Sequence, residues 1–211
     1  MLPVTVCLLA VALLLVAEHR GARRARAVAK LSASSAFVWA ALAWGAALTP
    51  FGQLLLVGLA LCWVGDALLL PAGRSAWFQL GIGAFLLAHL AYALACTRLA
   101  LGPGALAAVG GVVGLGAWLE FRWLGPHPLS DFRWPVLAYL GAISLMVAVA
   151  VTAVVGGAPA LLGVGAVGFA LSDLAVARNR FVSPGFANKA WGLPAYYLSQ
   201  LAIAYSVALV A

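Results

Sequence analysis

The chain has 211 residues, of which 66% are hydrophobic and only 8% are charged. A soluble domain carries about 25% charged residues, so an ordinary water-soluble fold is excluded. The 12 Lys and Arg outnumber the 5 Asp and Glu, for a net charge of +7. In a soluble protein that excess would point to nucleic acid. Here the cations lie between apolar runs, so their anionic partner is expected to be the lipid headgroup surface.

A membrane-spanning helix needs about 20 apolar residues. Taken in chain order, such runs fall near 2–17, 31–48, 51–70, 77–98, 104–120, 134–155, 158–176 and 191–211. The reading is an all-α integral membrane protein, a single transmembrane domain over 1–211 made of about eight helices with short loops. The first run is followed by Glu18, His19 and five basic residues. A signal peptide has its charge before the apolar stretch, so this run is read as a retained helix. Breaks come at Thr49-Pro50-Phe51-Gly52, Pro71-Ala72-Gly73, Gly102-Pro103-Gly104, Gly156-Gly157-Ala158-Pro159 and Ser183-Pro184-Gly185. The runs are continuous and lack a period of two, which excludes a β-barrel.

Of the 12 basic residues, Arg98 alone falls on an even-numbered loop. Loop one carries Arg20, Arg23, Arg24, Arg26 and Lys30, loop three Arg74, loop five Arg122 and Arg133, and loop seven Arg178, Arg180 and Lys189. The positive-inside rule then puts the odd loops in the cytoplasm and both termini outside it. Trp77, Trp123, Trp134 and Trp191 flank the same loops, where amphipathic rings favour the interface. In the fifth run Gly110 and Gly114 form a small-xxx-small pair of the kind that brings helices close together. Cys7, Cys62 and Cys96 make no metal or disulfide pattern and read as small apolar fillers. No cofactor or metal is expected, and His19 and His127 carry no assigned role.

The ionisable residues singled out inside the runs are Asp66, His89 and Asp173. A charge in hydrocarbon costs at least a few kcal/mol, so such groups normally face a bundle interior. Asp66 and Asp173 both sit roughly 6–8 Å from the inner ends of spans running in the same direction. They are therefore expected to share one cavity, the plainer alternative being two independently capped acids. Tyr196, Tyr197 and Gln200 enter from the same end on the eighth span. Tyr139, Ile143 and Met146 mark one face of the sixth. On the fourth, Phe78, Ile82, Phe85, His89 and Tyr92 recur at spacing 4-3-4-3, which is one helix face. His89 lies deeper, roughly 18 Å in, and is placed at the cavity floor. Structural pairing of His89 with a backbone carbonyl or a hydroxyl is the alternative. Ser172 precedes Asp173 without a histidine near it in sequence, which argues against a serine nucleophile.

These residues resemble the YhhN-like family of membrane proteins, which includes the lysoplasmalogenases. The matching pieces are Gly65-Asp66 followed by leucines, Phe78…Phe85…His89…Tyr92, Tyr139…Ile143…Met146, Gly165-Ala166…Phe169…Ser172-Asp173…Arg180-Phe181 and Tyr196-Tyr197…Gln200. The resemblance implies an eight-helix hydrolase of the vinyl-ether bond of lysoplasmalogens. Its partners would be a lysophospholipid substrate and the surrounding membrane lipids, with no nucleic acid.

The residues are suited to that chemistry. Protonating the β-carbon of a vinyl ether leaves an oxocarbenium ion, to which water adds; the hemiacetal then collapses to aldehyde and alcohol. Glycosidases meet a similar cation with two carboxyl groups. Asp66 and Asp173 are the candidate catalytic pair, with neither assigned as acid or base. His89, Tyr92, Tyr139, Ser172, Tyr196, Tyr197 and Gln200 are candidate substrate-binding groups. Arg178, Arg180, Asn188 and Lys189 sit at the cavity mouth, where they could hold a phosphate. The competing class is a transporter or proton-coupled carrier, since intramembrane acids also suit a proton relay. The similar contexts of Asp66 and Asp173, four spans apart, further hint at a parallel four-plus-four repeat, an architecture that transporters also use.

Overall fold

The computed structural model describes residues 1–71, 75–102, 104–126 and 133–210. Arg74 and His127 lie outside them. The described residues form an all-helical membrane bundle. The helices are α1 (Leu2–His19), α2 (Arg23–Ala43), α3 (Pro50–Leu68), α4 (Ser75–Cys96), α5 (Ala105–Leu124), α6 (Arg133–Val155), α7 (Ala160–Ala177) and α8 (Phe186–Val210). Among the described residues seven of these are long and apolar enough to cross a membrane; α2 is not one of them.

The second helix departs most from the sequence reading. Hydropathy puts it at 31–48, yet it begins at Arg23 and ends at Ala43, with a short 3₁₀ turn at Ala46–Leu48 before α3. The segment Arg23–Lys30 consists almost entirely of Arg, Ala and Lys, all strong helix formers. Long basic side chains can lay their stems along apolar surface, so their charge does not stop the helix. The start of α3 is fixed by Thr49, whose hydroxyl accepts from the Gly52 amide at 3.0 Å, with Pro50 in the first turn. At its other end α7 runs into one π-helical turn, Arg178–Val182.

In the bundle α8 packs on α7, α2, α1 and α3; α3 packs on α4, α4 on α6 and α6 on α7. The α7–α8 approach depends on Gly165. A Cβ there would come within 2.9 Å of the Ser199 carbonyl oxygen, a backbone atom that cannot swing aside. Helix α5 lies at the edge, packed on α6. The close approach expected at Gly110 and Gly114 is not made among the described residues: a Cβ at either would meet nothing within 4 Å. Their face of α5 points away from the bundle.

Candidate functional site

Described residues that flank the odd-numbered connections meet at one end of the bundle. Lys189 at the start of α8 reaches Glu18 at the end of α1 at 2.7 Å, and Arg26 of α2 donates to the Leu70 carbonyl after α3 at 2.7 Å. A cavity of about 380 Å³ opens there. Its walls are largely apolar, with Phe78, Ile82, Phe85, Val136, Leu140 and Ile143. Its polar groups include Glu18, Arg26 and Lys30 from the first two helices and Asn188 and Lys189 from the last.

Both aspartates line this one cavity, together with Tyr139, Ser172 and Tyr196. Asp66, on the inward face of α3, is 2% exposed. Its carboxylate lies 3.0 Å from the Lys30 ammonium and accepts from the hydroxyls of Ser34 at 2.5 Å and Tyr196 at 2.9 Å. Lys30 and Ser34 stand one turn apart on α2, so both face Asp66. The Tyr197 hydroxyl supports that turn, 3.3 Å from both Ser34 Oγ and the Lys30 carbonyl.

Asp173 has different surroundings. Its Oδ2 accepts from the Tyr139 hydroxyl at 2.8 Å and lies 3.5 Å from His89 Nε2. His89 is fully buried, with Nδ1 2.6 Å from the Phe85 carbonyl oxygen and the ring stacked on Phe169 at 4.4 Å. The Ser172 hydroxyl turns back to the Phe169 carbonyl at 2.7 Å.

Five predicted positions, His89, Tyr92, Tyr197, Gln200 and Arg178, do not line the cavity. His89 is not part of the cavity wall; it meets the cavity through Asp173. Tyr92 and Gln200 also lie outside the wall, in a buried chain where Tyr92 donates to Gln200 Oε1 at 2.7 Å and Gln200 Nε2 reaches Cys62 Sγ at 3.3 Å. That side-chain pair joins α4 to α8 within the core. At the mouth Arg178 does not line the cavity either, and donates to Asn188 Oδ1 at 2.6 Å. Arg180, Asn188 and Lys189 do line it, with the Arg180 guanidinium 4.3 Å over the Phe78 ring. The π-turn brings Asn179, Arg180 and Phe181 to the cavity, which a regular helix end would not ensure.

Cavity-associated polar groups absent from the sequence reading include Lys30, Ser34, Glu18, Arg26, Asn179 and Glu120. Lys30 and Ser34 were overlooked because Lys30 was assigned to a loop; their spacing of four was the available signal. Glu18 and Arg26 were read only as flanking charge. Glu120 on α5 also lines the cavity, and being acidic within an apolar run it could have been noticed.

A model of the YhhN family matches residues 2–207. Proteins named lysoplasmalogenase from Mycobacterium bovis and Mycobacterium tuberculosis are each 36% identical to this chain over 149 residues, covering 68% of this chain and 54% of the relative. The chain thus spans about half the length of the curated relatives it matches. No solved structure matches it.

Proposed function

The chain belongs to the YhhN family, and from that premise we propose that it hydrolyses the vinyl-ether bond of lysoplasmalogens. The products are a fatty aldehyde and glycerophospho-ethanolamine or glycerophospho-choline. The observation that carries this reading is the single cavity in which two intramembrane aspartates meet apolar walls beneath a charged mouth. The apolar walls suit an alkenyl chain, and the aspartates suit the acid–base demands of its ether bond. At the mouth, Arg26, Arg180 and Lys189 with Asn188 are the groups for the phosphate. Arg26 Nε makes no hydrogen bond and lies 4.0 Å from Glu18 Oε1, so a phosphate there would share the guanidinium with that carboxylate. Arg178 acts one step back, by orienting Asn188.

The test is aldehyde release by the purified protein in detergent micelles. Lysoplasmalogen is expected to be cleaved. Its saturated alkyl-ether analogue is expected to be inert, since it has no carbon–carbon double bond to protonate. Activity confined to sealed vesicles carrying a gradient would instead establish the carrier reading, and no cleavage in either setting would reject the hydrolase.

The cavity mouth in this reading faces the cytoplasm, because basic residues flanking the first and seventh connections, Arg26, Lys30, Arg180 and Lys189, line it. A reporter fused after Ala211 that fluoresces only in an oxidising, non-cytoplasmic compartment is the expected outcome. Fluorescence in the cytoplasm would reverse the orientation.

A further inference from the structure

We infer that His89 and Asp173 together hold the proton delivered to the substrate, with His89 as a positioning residue, and that Asp66 is the ionised partner that receives the proton of water. This assignment rests on the proposed vinyl-ether hydrolysis. Its starting point is a mismatch of donors and acceptors. A carbonyl oxygen only accepts, so the 2.6 Å contact with the Phe85 carbonyl requires a hydrogen on His89 Nδ1. In the neutral ring Nε2 is then a bare acceptor. It is buried, has no hydrogen-bond partner and faces Asp173 Oδ2 at 3.5 Å. A lone pair facing an ionised carboxylate in a dry interior is unfavourable. A proton between them removes the conflict, whether carried as carboxylic acid on Asp173 or as imidazolium on His89. The long separation is compatible with a contact that tightens once substrate fills the cavity.

Asp66 lacks this feature. It receives Lys30, Ser34 and Tyr196, three donors suited to a carboxylate. The other titratable groups close by are Tyr139 of α6, which donates to Asp173, Glu120 of α5, which lines the cavity, and Cys62 of α3, which is held by Gln200. None of them gives Nε2 a hydrogen bond.

The roles balance over a full cycle. The double bond takes the dyad's proton from Asp173 at its β-carbon, and the electron pair from the ether oxygen forms the oxocarbenium ion. Water attacks the cationic carbon and gives its proton to Asp66, whose negative charge has faced the cation. The hemiacetal then collapses: its hydroxyl proton returns to Asp173, the carbon–oxygen bond to glycerol breaks, and the leaving oxygen takes the proton from Asp66. Both groups end as they began, and no oxidant or cofactor enters.

Two measurements test the assignment. Nitrogen-15 spectra of histidine-labelled wild-type protein, with His89 assigned by its loss in His89→Gln, are expected to show a hydrogen on Nδ1. They should also show an Nε2 resonance that moves in Asp173→Asn and stays in Asp66→Asn. A Nδ1 without hydrogen, or an Nε2 indifferent to Asp173, overturns the dyad whatever the enzyme's substrate. Kinetically, His89→Phe keeps the ring stack on Phe169 but removes the acceptor, and is expected to lower kcat at least tenfold with KM within about twofold. His89→Gln keeps an acceptor and is expected to fall between that variant and wild type. A folded His89→Phe protein with wild-type kcat would overturn the role of His89 while leaving the hydrolase reading intact. Wild-type protein that shows the spectroscopic dyad and cleaves no vinyl ether would overturn the hydrolase reading instead.

Discussion

Asp66→Asn and Asp173→Asn are each expected to lower kcat for vinyl-ether hydrolysis by about 10²–10⁴-fold, the range that general acid–base catalysis contributes. Asparagine keeps the size of the side chain and accepts some of the same hydrogen bonds. In Asp66→Asn the hydroxyls of Ser34 and Tyr196 still find an acceptor, and in Asp173→Asn so does Tyr139. What is lost is the capacity to gain and give a proton and, in Asp66→Asn, the charge that pairs with Lys30, so that variant's rate is read on protein shown to be folded. The cavity walls and the cationic mouth are untouched, so KM should change little. Two groups acting within one cycle are non-additive, so the double variant should be scarcely slower than the slower single one. Initial rates of aldehyde release from detergent-solubilised protein measure this. A folded asparagine variant that turns over near the wild-type rate would make that aspartate structural.

Lys30→Met is expected to be the most destabilising single change at the site. The Lys30 side chain is 12% exposed and that of Asp66 3%, so their 3.0 Å pair sits in a low-dielectric interior with little help from water. Removing one partner of a buried pair costs about 3–5 kcal/mol, because the remaining charge must be neutralised or left unpaired. Replacing both partners removes the uncompensated charge, so Lys30→Met combined with Asp66→Asn should melt above Lys30→Met alone. Thermal unfolding in one detergent, with wild type, Lys30→Met and the double variant side by side, reads this order. Equal midpoints for Lys30→Met and wild type would mean that Asp66 draws its stability from Ser34 and Tyr196 instead.

Composition by itself decided the class of fold. Long apolar runs broken by Pro and Gly leave helices as the way to satisfy backbone polar groups in lipid, and the bundle follows. The two aspartates were legible for a related reason: an acid in an apolar run is costly enough to mark itself, and equal depth on parallel spans placed both in one cavity. Local sequence could not decide which polar groups face that cavity and which brace it from behind. Tyr92, Gln200 and His89 share helix faces with cavity residues, yet side-chain direction and the neighbouring helix turn them into the core. Lys30 was misplaced because hydropathy reads charge as a loop, whereas a basic helix end can continue into the bundle when a carboxylate awaits it. The unlike surroundings of Asp66 and Asp173, one met by an ammonium and two hydroxyls and the other by a tyrosine and an imidazole, are contacts between helices far apart in sequence. Only the packing of α2, α4, α6 and α8 around α3 and α7 brings them about, and it is that packing which gives the two carboxyl groups different partners.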